Sequence, residues 1–202
     1  SSADDLSEKE YTLKQLNKFE EYSTSFIQNF NYPIHRHILN TAGIENYNRY
    51  QYDMVRLGIG LYGINVGDVA SQIKPISRLK TVVIQTKKLQ IGDSIGYGRK
   101  TKAETPMTIA MLPIGYSDGI RRSLGNRKFS FYWNDKPCEL VGNICMDICM
   151  IEITGLDVAV GHEIEIFGFH NSIEDMAKAM DTIPYEVLTS ISQRVKRVFY
   201  KD

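Results

Sequence analysis

The fold class of the amino-terminal part is decided by the stretch IHRHILNTAG, residues 34–43. Its first six residues are rich in apolar side chains and predict a strand, and the loop at residues 40–43 leads into a short helical stretch at residues 45–50. A second strand is predicted at residues 54–62. Strands that alternate with helices pair in parallel through helical crossovers, so the pattern predicts an α/β fold.

An amphipathic helix is predicted before this stretch. Ser7 and Glu10 form a capping-box pattern, and Pro33 is predicted to end the helix. Apolar residues recur between them at spacings of three and four, which is typical of a helix with one apolar face. These residues are Leu13, Leu16, Phe19, Tyr22, Phe26, Ile27 and Phe30.

From about Lys74 the pattern changes to short strands separated by turn signals. The predicted strands cover residues 79–87, 92–98, 107–112, 128–133, 139–144, 150–153 and 163–167. Two short helices follow at residues 172–180 and 185–193, the second with Pro184 in its first turn. We therefore place a domain boundary near residues 65–75 and predict a mainly β domain over residues 71–202.

The α/β part is too small to be a complete domain of its class. Two βα units cannot close a barrel or fill a doubly wound sheet, because such folds need many strands around a common core. We therefore expect the chain to be truncated at its amino end.

Composition excludes several partner classes. The 202 residues contain 24 Lys and Arg and 24 Asp and Glu, so the net charge is zero and no global field favours nucleic acid or an anionic membrane. No apolar run approaches the ~20 residues of a membrane span, and the acidic start is unlike a signal peptide. We expect a cytoplasmic protein.

The cysteines and histidines do not predict a metal site. Cys138, Cys145 and Cys149 lie within twelve residues, with no C-x-x-C pair and no histidine at ligand spacing. We expect them to be reduced and structural. The four histidines are expected to pack or to be solvated.

The strongest single candidate for chemistry is a tyrosine between two glycines in LPIGYSDGIR, residues 112–121. Glycines let the backbone turn sharply and approach a bound molecule closely, and a nearby cation lowers the pKa of a phenol from its usual value of about 10. Tyr116, beside Asp118 and Arg121, is therefore a candidate base. A tyrosine at a strand-to-loop corner also commonly does no more than pack and hydrogen-bond.

Two loops offer groups that bind phosphate. Asn40 and Thr41 supply an amide and a hydroxyl at the start of a helix, and Arg56 precedes the backbone N–H groups of Gly58 and Ile59. Each loop alone is equally consistent with a strand-end cap or turn. The overlapping G-x-G-x-x-G pattern at residues 58–63 does not predict a dinucleotide site, because no amphipathic helix follows it.

Two further features remain open at this stage. Met146 and Asp147 end an apolar strand, where the acid either caps a turn or presents neighbouring N–H groups to a substrate carboxylate. The basic and aromatic residues between positions 121 and 133 resemble a nucleic-acid surface on a β scaffold, and the balanced charge argues against that function.

Five motifs in order resemble the alanine racemase family: NTAG at residues 40–43, YDMVRLGI at 52–59, GYGR at 96–99, GYSDG at 115–119 and VGNICMD at 141–147. The resemblance implies a (β/α)8 barrel followed by a β domain, with pyridoxal 5'-phosphate as cofactor. Residues 1–70 would be the last βα units of a truncated barrel and residues 71–202 the carboxy-terminal β domain. The implied activity interconverts L- and D-alanine and supplies D-alanine for the cell wall.

The resemblance also implies the cofactor-binding residues. Thr41, with Asn40 in the same loop, would bond the cofactor phosphate together with the N–H groups of Gly58 and Ile59. Arg56 would face the pyridine nitrogen and keep it unprotonated, since arginine does not give up its proton at neutral pH.

For the substrate, the resemblance implies that Tyr116 is one of two bases flanking the α-carbon. Met146 and Asp147 would bind the substrate carboxylate, chiefly through the backbone. Two positions depart from the family pattern. Gln193 stands where a phosphate-contacting tyrosine is common, and Asn143 stands where an arginine is common.

The second base in the family is the lysine that carries the cofactor, in a K-A-x-A-Y-G-like motif that this chain lacks. The barrel-side lysines Lys9, Lys14 and Lys18 lie on the polar face of the predicted helix. We therefore expect the isolated chain to be inactive. Family members are head-to-tail homodimers in which the tyrosine reaches the cofactor of the other subunit. The alternative function is a non-catalytic β-domain binding module.

Overall fold

The structure, a computed structural model, describes residues 2–66, 73–99 and 101–200. They form two compact units, Ser1–Ile76 and Ser77–Asp202. The helices are α1 (Lys9–Ile27), α2 (Thr41–Asn46), α3 (Ile173–Ala179) and α4 (Pro184–Ser190). The strands are β1 (Leu79–Val82), β2 (Gln85–Leu89), β3 (Ser94–Ile95), β4 (Thr101–Lys102), β5 (Met107–Leu112), β6 (Ser130–Trp133), β7 (Lys136–Glu139), β8 (Cys149–Glu152) and β9 (Glu163–Phe167). Within these described ranges, no helix is long and apolar enough to cross a membrane.

The predicted first helix is present as α1, but both of its ends were predicted wrongly. The side chain of Asp5, not a capping box of Ser7 and Glu10, caps the short 3-10 helix that leads into α1, because its Oδ1 accepts the N–H of Ser7 at 2.8 Å. The helix ends at Ile27, six residues before Pro33. The side-chain amide of Asn29 donates to carbonyls of the last turn and ends the helix there.

The strands predicted at residues 34–39 and 54–62 do not form as regular strands. The two segments are joined by bonds from the N–H of Asp53 to the carbonyl of Arg36 at 3.2 Å and from Arg56 to Leu39 at 2.9 Å. The residue numbers rise together, so the segments run in the same direction. The Asp53 side chain accepts the N–H of Arg36 at 2.8 Å, which replaces a backbone bond and leaves no continuous ladder.

The helix predicted at residues 45–50 begins earlier, as α2, and a 3-10 helix follows at Asn48–Tyr50. The G-x-G-x-x-G stretch forms the 3-10 helix Ile59–Tyr62 and opens no α-helix within the described residues. Five buried apolar side chains of this unit form a cluster: Ala3, Leu16, Leu39, Ala42 and Tyr47. The cluster lies beneath the loop at residues 40–43, so that loop rests on a packed base.

The carboxy-terminal unit is mainly β, with three antiparallel sheets in the described residues. Their strand orders are β1-β9-β6-β7, β2-β5-β8 and β3-β4. The central strand β5 matches its predicted bounds and is bonded on both sides. One apolar cluster lies under it: Leu89, Ile95, Ala103, Met107, Ile109, Val141 and Met150.

The single strand predicted at residues 79–87 is divided between two sheets. The N–H of Val83 donates to His162 at 3.0 Å, whereas the N–H of Ile84 donates to Met111 at 2.9 Å. Adjacent residues therefore bond to different sheets, and the chain leaves β1 to begin β2.

The strand predicted at residues 139–144 lies earlier, as β7. Asn134 has φ +53 in the tight turn between β6 and β7, and Pro137 lies within β7 at the edge of its sheet. An edge strand tolerates a proline because one of its sides needs no ladder bonds. The helix predicted at residues 185–193 is α4, which ends at Ser190.

Candidate functional site

Tyr116 lies on a tight turn at the end of β5. It begins the 3-10 helix Tyr116–Asp118, and Gly119, with φ +104, ends it. The Asp118 side chain accepts the N–H of Gly115 at 2.9 Å and closes the turn. The tyrosine is 44% exposed, so it is held by its backbone while its side chain remains accessible.

This turn packs directly on the loop that contains Met146 and Asp147. The N–H of Tyr116 donates to the carbonyl of Cys145 at 3.0 Å, and the N–H of Ser117 donates to that of Met146 at 3.0 Å. The Ser117 hydroxyl also contacts the Met146 carbonyl and the Asp147 carboxylate, at 2.8 and 3.0 Å. The structure thus brings together the three residues that the sequence analysis assigned to proton transfer and substrate binding.

The close approach of the two loops requires glycine at position 115. A Cβ there would lie 2.3 Å from the carbonyl oxygen of Cys145 and 2.4 Å from that of Met146. Both neighbours are backbone atoms, so they cannot move aside without displacing the loop.

We expect Gly115→Ala to destabilise the chain by about 1–3 kcal/mol, since overpacking against backbone forces the loops apart. Urea unfolding measures the change. Gly155→Ala measures a different cost, that of a side chain at a φ of +76, because its Cβ would meet no atom within 4 Å. A Gly115→Ala variant as stable as the wild type would contradict the close approach.

Arg194 joins the two loops through its guanidinium. Its Nε donates to Asp118 Oδ1 at 2.6 Å and its Nη2 to Asp118 Oδ2 at 3.0 Å. The same Nη2 contacts Asp147 Oδ1 and Ser117 Oγ, both at 2.5 Å. The Asp118 side chain is only 7% exposed, whereas those of Arg194 and Asp147 are about half exposed.

The ion pairs lower the pKa of both carboxyl groups. Burial alone would raise the pKa of Asp118, but the hydrogen bonds from Arg194 and from the N–H of Gly115 outweigh burial and lower it. Hydrogen bonds from Arg194 and Ser117 lower the pKa of Asp147. Both groups therefore carry negative charge throughout the neutral range.

We expect Asp118 to make the stability of the chain depend on pH in acid. Because its folded pKa lies below the ordinary value of 3.8, the ionised group stabilises the fold above that value, and this contribution is lost as the pH falls through the folded pKa. Urea midpoints measured between about pH 3 and pH 7 should fall less steeply in acid for Asp118→Asn than for the wild type. Asp135→Asn, at an exposed aspartate, is the control. Equal steepness in Asp118→Asn and the wild type would contradict the assignment.

Arg121, the cation close to Tyr116 in the sequence, bonds to residues near the carboxy terminus. Arg121 forms an ion pair with Glu186 and donates to the carbonyl of Met180 at 3.3 Å. Asp118 is paired with Arg194. The two charges that flank Tyr116 in the sequence therefore hold the turn and the neighbouring helices in place.

In the amino-terminal unit, the predicted phosphate loops meet at one hydroxyl. Asn40 caps α2 by accepting the N–H of Gly43 at 3.0 Å. The Thr41 hydroxyl, buried beneath it, accepts the N–H groups of Gly58 at 3.0 Å and Gly60 at 3.4 Å. A hydroxyl and main-chain N–H groups at one place are the donor set that binds a phosphate.

Arg56 is held in place by the segment that precedes this loop. Its Nη1 lies 2.7 Å from His37 Nδ1, and its Nη2 donates to the carbonyl of Ile38 at 2.9 Å. Since arginine can only donate, His37 Nδ1 is the acceptor and the bond assigns the ring proton to Nε2. A cavity of about 430 Å³ adjoins these groups, and its walls include Lys18, Asn40 and Arg56.

The predicted site residues thus form two groups, one in each unit. Asn40, Thr41, Arg56, Gly58 and Ile59 lie in the amino-terminal unit. Ile59 is buried and begins the 3-10 helix after Gly58. Tyr116, Met146, Asp147 and Gln193 lie in the carboxy-terminal unit, where Gln193 is exposed and directly precedes Arg194.

Arg194 and His37 take part in these contacts, and neither was predicted as a site residue from the sequence. Arg194 was not singled out from the sequence, because nothing in the spacing along the chain links it to Asp118 or Asp147. His37 was expected to pack or to be solvated. The available signal was its position on a segment predicted to run beside Arg56.

The basic and aromatic surface of the alternative function is largely engaged within its own unit. Arg127 pairs with Glu139 and Glu152, Phe131 is buried, and Trp133 stacks on His162 at 5.8 Å between ring centroids. These contacts do not favour a nucleic-acid surface.

The three cysteines are free, and Cys138 and Cys149 are buried. Burial raises the pKa of both buried thiols, so they stay protonated near neutral pH.

Two family models match the chain. The model described as alanine racemase, C-terminal domain, matches residues 76–199, and that described as alanine racemase, N-terminal domain, matches residues 1–66. The chain therefore belongs to the alanine racemase family.

Individual relatives agree with this assignment. Alanine racemase 1 of Clostridium acetobutylicum is 41% identical over 100% of this chain and 54% of its own length, and the alanine racemase of Clostridium novyi is 39% identical over the same shares. The chain thus spans about half the length of the curated relatives it matches.

Solved structures of alanine racemases also match nearly all of this chain and about half of their own length. The alanine racemase from Bacillus anthracis with bound L-Ala-P matches 100% of this chain and 54% of its own, with TM-score 0.90 and 31% identity. The enzyme from Bartonella henselae with covalently bound pyridoxal phosphate matches 99% and 55%, with TM-score 0.88 and 30% identity. The predicted family and fold class are confirmed.

Proposed function

We propose that this chain is the carboxy-terminal portion of an alanine racemase that interconverts L- and D-alanine. The observation that carries the proposal is an accessible tyrosine on a turn bonded directly to the loop of Met146 and Asp147. The two Clostridium relatives, both named alanine racemase, match the whole length of this chain. D-alanine supply for the cell wall is the proposed role.

Pyridoxal 5'-phosphate is the proposed cofactor, and the amino-terminal unit fits its phosphate. The Thr41 hydroxyl and the N–H groups of Gly58 and Ile59 would hold that phosphate, with Asn40 fixing the loop. The N–H of Gly58 donates to the Thr41 hydroxyl at 3.0 Å, which holds the two loops together at this place. Gln193 is proposed as a further phosphate contact, through its amide.

Arg56 would hold the pyridine nitrogen of the bound cofactor. Its two contacts, with His37 and with the Ile38 carbonyl, fix the guanidinium and leave it permanently charged. When bound, the cofactor supplies the electron sink that makes the α-hydrogen of alanine acidic. Arginine cannot transfer a proton to the ring nitrogen, so it restrains that sink and favours return of the proton to carbon.

Tyr116 would act as one of two bases. Its phenolate oxygen removes the α-hydrogen of L-alanine, and in the reverse direction its hydroxyl returns a proton to the same face. Met146 and Asp147 would bind the substrate carboxylate through backbone N–H groups. The other base in the family is the cofactor lysine, whose motif this sequence lacks, and a homodimer in which Tyr116 serves the partner's site is part of the proposal.

The test is to join this chain to the lysine-bearing amino-terminal half of the Clostridium acetobutylicum relative. We expect the chimera to bind pyridoxal phosphate and to form D-alanine from L-alanine, as measured by chiral chromatography. The unmodified relative serves as the positive control. A folded chimera that binds the cofactor and forms no D-alanine would overturn the proposal.

A further inference from the structure

One guanidinium contacts both sides of the tyrosine turn. Arg194 bonds to Ser117, which follows Tyr116, and to Asp118, whose Oδ2 also accepts the N–H of Gly115, which precedes Tyr116. The backbone on either side of the tyrosine is thus connected to a single side chain.

The same guanidinium also reaches the neighbouring loop. Its Nη2 donates to Asp147 Oδ1 at 2.5 Å, and Asp147 adjoins Met146, whose carbonyl accepts the N–H and hydroxyl of Ser117. The segment that carries Arg194 is attached to the turn independently, because the N–H of Ser192 donates to the Asp118 carbonyl at 3.4 Å.

The geometry of this cluster requires arginine. Asp118 is nearly buried and is held through both of its oxygens, which a planar guanidinium matches with two parallel N–H groups. A lysine ammonium is a point charge and cannot reproduce this fork. Loss of the guanidinium would leave a buried carboxylate with the N–H of Gly115 as its remaining bond from the turn.

We infer that Arg194 is a positioning residue for Tyr116, which it holds in register with the Met146-Asp147 loop through Asp118 and Ser117. The inference rests on the proposed function for its catalytic consequence. Its geometric part does not depend on that function and is measured separately.

The geometric part is tested by hydrogen exchange on the 202-residue chain, followed by NMR or mass spectrometry. We expect Arg194→Met to speed exchange of the Tyr116 and Ser117 amides by about tenfold or more, since their bonds to the next loop open more often. Arg194→Lys should give a smaller increase and keeps the test valid if the first variant does not fold. The control is Arg122→Met, at an exposed arginine of the same unit. Unchanged exchange in both Arg194 variants would overturn the inference.

The catalytic part is tested in the chimera with α-deuterated alanine. If Tyr116 is displaced, its proton transfer becomes more rate-limiting, so in Arg194→Lys the primary isotope effect on kcat/KM should rise for L-alanine and fall for D-alanine. A residue that only maintained folding would lower the amount of active enzyme and leave both isotope effects unchanged. Unchanged isotope effects in Arg194→Lys would therefore overturn the positioning role. Failure of the proposed function is recognised separately, as a Tyr116→Phe chimera that exchanges the α-hydrogen of L-alanine at the unaltered rate.

Discussion

Tyr116→Phe, introduced into the chimera described above, is expected to slow removal of the α-hydrogen from L-alanine by about 10²- to 10⁴-fold, which is the usual contribution of a positioned general base. The substitution deletes one hydroxyl from a side chain that is 44% exposed, and the turn is held by the backbone bonds of residues 115–118. The fold and cofactor binding should therefore be unchanged. The loss of activity should be confined to the α-hydrogen of L-alanine, because the second base, on the lysine-bearing half, is still present.

The measurement is exchange of the α-hydrogen with deuterated water, followed by NMR for each enantiomer separately. Exchange from D-alanine should persist in Tyr116→Phe, since the other base removes that hydrogen. Tyr185→Phe is the matched control, because Tyr185 lies in the same unit and is 45% exposed. Equal exchange from both enantiomers in Tyr116→Phe would remove the tyrosine from its assigned role.

The second large effect is expected from the 202-residue chain alone, which should show no racemisation above the uncatalysed rate. The chain lacks the motif that carries the cofactor lysine, so one of the two proposed bases and the covalent attachment are both missing. Lys9 and Lys14 are exposed on α1. Of the three lysines on α1, Lys18 is the candidate for attachment, since it lines the cavity together with Asn40 and Arg56.

Borohydride reduction in the presence of pyridoxal phosphate, with mass spectrometry of the digest, measures any covalent attachment. We expect no stoichiometric attachment of the cofactor to the purified chain. Any partial attachment should disappear in Lys18→Arg. The chimera, treated in the same way, is the positive control. Turnover that copurifies with the 202-residue chain through successive columns would show that the missing lysine is not required.

The parts of the fold that followed from sequence are those in which local pattern and packing agree. Strand β5 was predicted with its observed bounds. Its apolar residues lie in the core, and the strand is bonded to a neighbour on each side, so pattern and packing favour the same structure. Helix α1 was predicted from its apolar spacing, but its start depended on Asp5, whose side chain competes with the Ser7 pattern for the same turn.

The ends of α1 were set by nearby side chains, whereas other errors occur where a bond to a distant residue overrides the local pattern. The segments at residues 34–39 and 54–58 have strand-like composition, yet the Asp53 side chain takes the place of a backbone partner. The continuous apolar run at residues 79–87 changes sheets at Val83 and Ile84, because their N–H groups donate to residues far away in the chain. Spacing along the sequence contains no information on either bond.

At the candidate site, motif order and glycine spacing were enough to recognise the family and to select Thr41, Arg56, Tyr116 and Asp147, because both are properties of the chain alone. The contacts of Arg194 with Asp118, 76 residues earlier, and of Arg56 with His37 were found in the folded chain and not in the motifs. A charge is stabilised by the groups within a few ångströms of it, and folding is what brings those groups together.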